Sequence, residues 1–127
     1  MRKAIQLFNA NDFICAATLA GAAEEILGRI AKKRSGITAL EGETLFGDQF
    51  ATVVNKPKPD HKKVVAALNR TRNELKHNDL GENLYVESDF EFEAKSLIDR
   101  AIRNYWLAYD RPLRDRIIDR YVRFYWT

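Results

Sequence analysis

Apolar residues along this chain recur at intervals of three and four, and the residues that would break such a rhythm are scarce: 6 glycines and 3 prolines in 127 residues. No stretch alternates apolar and polar side chains in the manner of a strand. The periodicity therefore predicts an all-α protein of five or six helices. A short first helix is expected near Arg2 to Phe8. A long second helix follows from about Asp12 to Arg34, with Asn11 or Asp12 as its cap.

Thr38-x-x-Glu41 has the form of a capping box and opens a third segment running to about Asn55. The prolines of Lys56-Pro57-Lys58-Pro59 forbid helix there, and Asp60 then caps a fourth helix reaching about Lys76. Asn78 to Asn83 reads as a helix exit with Gly81 in a left-handed conformation, and Leu84-Tyr85-Val86 as a brief extended piece. Ser88-x-x-Glu91 is a second capping box, starting a helix to about Tyr109. Pro112 suits the first turn of a last helix ending near Trp126. No internal repeat divides the chain, and its length suits one domain over residues 1–127.

Composition narrows the function classes. With 46% hydrophobic and 31% charged residues the chain is globular rather than disordered. No apolar run approaches a membrane span, and the N-terminal residues lack a secretory apolar core, so a cytoplasmic setting without membrane contact is expected. A single cysteine, Cys15, excludes an internal disulfide framework and a cysteine-based zinc site. The net charge of +3 permits a polyanionic partner without demanding one.

The second helix is rich in small residues: Ala16, Ala17, Ala20, Gly21, Ala22 and Ala23. Small side chains let another helix approach closely, which predicts that this segment is the centre of the bundle. Its main apolar stripe is expected to be Leu19, Ile26 and Ile30 with Ala23. Glu24 lies off that stripe, on a face shared with Phe13, Ala17, Ala20 and Leu27. It is either a partly buried charge with a partner or a boundary residue.

General acid–base chemistry near neutral pH has two candidates, His61 and His77. His61 opens the fourth helix and reads as a solvated first-turn residue. His77 closes the run Arg70-Thr71-Arg72-Asn73-Glu74-Leu75-Lys76-His77. At 100° per residue, Val64, Leu68, Thr71 and Leu75 define the buried stripe of this helix. Arg72 falls at its edge beside Val65 and Leu68, whereas Arg70 falls on the solvated side. Arg72 therefore needs a partner, and Glu24 is the first candidate. No metal cluster is expected, because the acidic stretch Glu82, Glu87, Asp89, Glu91 and Glu93 spans a helix start where acids belong anyway. No cofactor is implied.

Arg72-Asn73-x-x-x-His77 resembles the signature of the HEPN superfamily: an arginine, a polar residue, then a histidine near a helix end. Ala16 to Leu27 is similar to the second-helix region of bacterial HEPN-like proteins, with residues 35–59 as an inserted helical or loop segment. The resemblance implies an up-and-down helical bundle that dimerises and brings two Arg/His motifs into one cleft. It further implies metal-independent cleavage of RNA by attack of the ribose 2′-hydroxyl on the adjacent phosphate. Arg72 would then stabilise phosphate charge, His77 transfer protons and Asn73 orient one of them, with Glu24 in support. HEPN toxins often carry a tyrosine two residues after the histidine. Here Asp79 stands there, so the likeness is to the superfamily rather than to that group.

Transesterification needs both a base and an acid, and one chain supplies one well-placed histidine, so catalysis would require a dimer. Lys62, Lys63, Arg70 and Lys76 are the candidate RNA contacts on the fourth helix. The last helix, with its arginines interleaved with Asp115 and Asp119, reads as a solvated charged face. Its aromatics Tyr121, Phe124, Tyr125 and Trp126 read as core or dimer interface. Two functions stand side by side: the endoribonuclease, and a catalytically inactive HEPN-like module that binds RNA or nucleotide or serves as a dimerising scaffold.

Overall fold

The computed structural model describes residues 1–58, 60–76 and 89–126, with the side chains of 71–76 excepted, and among them the chain forms six helices and no strand. These are α1 (Arg2–Asn9), α2 (Phe13–Ser35), α3 (Ala39–Val53), α4 (His61–Lys76), α5 (Phe90–Tyr109) and α6 (Arg116–Tyr125). None is long and apolar enough to cross a membrane. The expected exit at 78–83 and the extended piece at 84–86 lie outside the described residues.

Local chemistry sets most of the ends. Asp12 accepts from Cys15 N at 3.2 Å and starts α2. The Thr38–Glu41 box is complete, with Glu41 N donating to Thr38 Oγ1 at 3.1 Å and Thr38 N to Glu41 Oε2 at 3.4 Å. Helix α2 stops at Gly36, which adopts φ +81° and returns its N–H to Lys32 O; a side chain there would be strained. Two starts differ from expectation. Asp89, not Ser88, caps α5 by accepting from Phe92 N at 3.1 Å. Pro112 lies outside α6, which begins behind Asp115, whose Oδ1 accepts from Ile117 N at 2.9 Å and Ile118 N at 3.3 Å. In both places a carboxylate answers the unpaired N–H groups and the helix dipole together, which neither a serine nor a proline does.

Helices α2 and α5 form the central pair. Contacts advance in the same sense along both, from Glu24–Arg100 through Gly28–Asn104 to Arg34–Tyr109, so the two run parallel. A strict up-and-down order from α2 to α5 would make them antiparallel. What joins them instead is matched faces of small residues: Ala16, Ala17, Ala20, Gly21, Gly28 and Ala31 are buried on α2, and Ala94, Ala101 and Ala108 on α5. At Gly28 an added Cβ would stand 3.3 Å from Asn104 Nδ2, so the approach is close.

The expected apolar stripe of α2 is corrected by this packing. Leu19 and Ile26 are exposed, Ile26 at 60%, while the alanine–glycine face that includes Glu24 is inside. Close approach of a whole helix removes more surface from water than a few large side chains on the other face could. The segment at 35–59 is part of the bundle, because Asn104 Oδ1 accepts from Ala39 N at 2.8 Å and fixes α3 onto α5.

The main apolar core lies at the end of the bundle made by α1, α2, α5 and α6, around Ile5, Phe8, Leu97, Ile98, Ile102 and Ile118. Asp99 locks α6 there. Its Oδ1 accepts from Tyr121 Oη at 2.8 Å and Trp126 Nε1 at 2.9 Å, and Lys95 Nζ stands 2.7 Å from Oδ2. The final aromatics are thus mostly core. Burial, with the Asp99 charge and hydrogen bond behind it, holds the Tyr121 phenol well above the usual phenol range. Asp99→Ala is expected to lower stability by about 2–4 kcal/mol in urea unfolding, since it strands two donors in a packed site. An unfolded tyrosine ionises near pH ~10 while Tyr121 stays neutral in the fold, so its contribution is intact below that pH and falls as pH rises past it. In an alkaline titration its phenolate absorbance should appear only together with loss of helical circular dichroism.

Candidate functional site

Helix α4 carries the residues that the sequence singles out. Its first turn is capped as expected, with Asp60 Oδ1 accepting from Lys62 N at 3.0 Å. Lys62, Lys63 and Arg70 are exposed, and for Arg70 this agrees with its placement on the solvated side. Val64, Val65 and Leu68 are half-buried and Asn69 is buried. The backbone remains helical through Lys76, so Arg72 and Asn73 occupy its final turns. The side chains of Arg72, Asn73 and Lys76 lie outside the described residues, as do His77 and Asp79. His61 is exposed but partnered: its Nε2 meets Asp48 Oδ2, tying the start of α4 to α3.

Against α4 pack α2 and α3, and between α2, α3 and α5 lies a cluster of polar side chains inside the protein. Arg100, at 1% exposure, is its centre. Its Nε stands 3.7 Å from Glu24 Oε1 and its Nη1 3.9 Å from Glu43 Oε2. Glu43 reaches outward to Arg103 Nη2 at 3.0 Å. Among the described residues two carboxylates and two guanidiniums meet here, and Arg100 Nε and Nη2 find no hydrogen-bond partner, so Coulomb attraction at nearly 4 Å is what links the guanidinium to Glu24 and Glu43.

Asn104 braces the same cluster one turn along α5. Its Nδ2 donates to Glu24 O at 3.3 Å while its Oδ1 accepts from Ala39 N, so one amide joins three helices. Thr44 on α3 is also buried and returns its hydroxyl to Leu40 O and Glu41 O. Asn69 of α4 is buried with Oδ1 unpartnered.

Glu24 is thus a buried carboxylate with a cationic partner, 4% exposed, and not a boundary residue. Sequence reasoning offered Arg72 as its cation; the described cation is Arg100, which that reasoning did not single out. A signal was present. On α5 the buried face runs through Leu97, Ala101 and Ala108, and Arg100 and Asn104 fall at i and i+4 on its margin. A charge and an amide stacked there require interior partners.

The cluster ties α2, α3 and α5 to one another. Among the described residues no three His, Cys, Asp or Glu side chains converge as a metal site would need. Comparison of the chain with protein-family models, with curated proteins and with solved structures finds no match.

Proposed function

We propose that this protein is a HEPN-like, metal-independent endoribonuclease whose site is formed in a dimer from two Arg72/His77 motifs. The observation that carries the reading is the spacing Arg72-Asn73-x-x-x-His77 at the end of a helix that runs to Lys76. A step of five residues from an arginine to a histidine is a spacing that suits a phosphate clamped beside a proton-transfer group. The all-helical bundle and the packing of α4 against α2 and α3 are in keeping with it. In this reading Glu24 acts through Arg100 as a positioning residue.

The test is cleavage of single-stranded RNA in the presence of EDTA, with products ending in a 2′,3′-cyclic phosphate. Failure to cleave any RNA, with the protein folded and dimeric, would leave the inactive RNA-binding or scaffold module as the better reading.

Dimerisation has a surface to use, although not the one first expected. The aromatics of α6 are mostly inside their own chain, whereas the outer face of α3 exposes Phe46 at 70% and Val53 at 82%, with Phe50 between them. These positions repeat at four and three residues, the spacing of a helix-packing seam, and α3 adjoins α4. Sedimentation of the wild type at micromolar concentration should give twice the chain mass. Phe46→Glu with Phe50→Glu should give a folded monomer without cleavage activity. A wild-type monomer at high concentration would remove the shared-cleft mechanism.

A further inference from the structure

Helix α6 builds a second basic surface, remote in sequence from the motif. Arg114, Arg116, Arg120 and Arg123 line one open cleft of about 690 Å³ together with Phe124. Arg116, Arg120 and Arg123 follow one another at i, i+4 and i+7, so they fall on a single helix edge about 10 Å long. Two acids share the cleft. Asp115 is already engaged, capping α6 and pairing with Arg2 at 3.1 Å, and Asp119 is the other acid of the row.

Local stability accounts for Arg123, in the last turn of α6, but not for Arg116 and Arg120. Arg116 stands in the first turn of α6, where the helix dipole disfavours a cation. Arg116 and Arg120 are like charges one turn apart, a spacing that also works against the helix. The basic residues between 110 and 127 are all arginine, with no lysine among them. A solvated face is served by either residue; the planar fork of arginine is the one that matches phosphate oxygens two at a time.

Phe124 adds a second kind of contact. A ladder of rings leads outward from the core, Phe8 to Tyr121 to Tyr125, and ends on Phe124. The Phe124 ring is held edge-on to Tyr125, centroids 4.8 Å apart at 74°, yet it is 75% exposed. An oriented, exposed ring beside a row of guanidiniums is the pairing that binds single-stranded nucleic acid: phosphates on the arginines and a base on the ring. A lipid surface fits less well. Membrane-surface helices present a broad apolar face, and here Ile117, Ile118, Tyr121 and Val122 pack inward, which leaves one ring.

We infer that the α6 edge, Arg114, Arg116, Arg120, Arg123 and Phe124, is a binding site for single-stranded RNA. It does not depend on His77, and an inactive protein would bind there equally.

The measurement is fluorescence anisotropy of the 127-residue protein with a labelled 2′-O-methyl RNA oligomer, which lacks the attacking hydroxyl and so separates binding from cleavage. Four phosphate contacts predict a slope of log Kobs against log[salt] of about −3, at roughly −0.7 each. Arg120→Gln should weaken binding and reduce the steepness by about 0.7. Phe124→Ala should weaken binding about five- to a hundredfold, the worth of one stacked base, with the slope unchanged. Both positions are exposed, so the helical circular dichroism should be that of wild type. Binding that ignores both substitutions overturns the assignment. So does a Phe124→Ala effect seen on phosphatidylserine vesicles and absent on RNA, which would make the edge a lipid contact. Heparin binding as tight as RNA, with no dependence on Phe124, would reduce it to a general polyanion patch. Anisotropy unchanged by Arg120→Gln and Phe124→Ala, with ordinary RNA still cleaved, would leave the ribonuclease reading standing while this one fails.

Discussion

Replacing His77 with alanine is expected to lower the rate of RNA cleavage by about 10²- to 10⁴-fold, the usual worth of a positioned acid or base. Attack by the 2′-hydroxyl requires its proton to leave while the departing 5′-oxygen gains one, and imidazole is the side chain that does either near neutral pH. Arg72→Ala should cost a comparable factor, because charge grows on the phosphate oxygens in the transition state and Arg72 is the cation the proposed site assigns to it. Three controls separate chemistry from folding. Arg70→Ala, on the exposed side of α4, should weaken RNA binding and its salt dependence while leaving turnover of bound RNA nearly intact. His61→Ala should retain cleavage, because its bond to Asp48 joins α3 to α4 and reaches no phosphate. Arg72→Ala and His77→Ala must keep the dimer mass and helical content of wild type. Cleavage unaffected by His77→Ala would place the activity elsewhere.

The helices were legible because their signals are local. Asp12, Thr38 with Glu41, and Asp60 each mark a start through a hydrogen bond to a residue two or three positions away, and each bond forms. The starts of α5 and α6 were misplaced by one and by several residues, since the sequence there offers competing caps and Asp89 and Asp115 win on charge. The packing was less legible. Helical-wheel reasoning ranks large apolar residues as the buried stripe, which placed Leu19 and Ile26 inside. Which face of α2 is buried depends on how closely its partner approaches, and Ala101 and Gly28 settle that question only once α5 is known to be that partner.

The same distance in sequence hid the interior charges. Glu24 could be recognised as anomalous on a small-residue face, but its cation lies 76 positions later, on a helix whose own pattern already looked complete. Arg100 at the margin of an apolar arc reads as a snorkelling residue unless the arc is known to be covered on that side by α2 and α3. The outer face of α3 is the converse case. Phe46, Phe50 and Val53 look like core from their spacing, and the actual core uses Thr44 and Ala51 on the other side of the same helix.

The second large effect concerns Arg100. Arg100→Met should lower the unfolding free energy by about 3–5 kcal/mol, because it leaves Glu24 inside without its described cation and the methionine stem supplies only the lost packing. For a domain of this size that is a fall in Tm on the order of 10–20 °C, enough to consume much of a typical stability. Glu24→Gln should cost less, since Arg100 keeps Glu43 at 3.9 Å and the amide retains an oxygen in place. The double variant Glu24→Gln, Arg100→Met removes both charges, so its loss should fall short of the sum of the two single losses by about 1–3 kcal/mol. Arg103→Ala provides the contrast: its head is part exposed at the rim, and its pairing with Glu43 should be worth about 1 kcal/mol or less. Equilibrium urea unfolding with equal m values across the set is the measurement. A neutral Arg100→Met would mean that the guanidinium carries no net burden inside the bundle. Glu24 would then have no positioning role to lend through Arg100 to the proposed site.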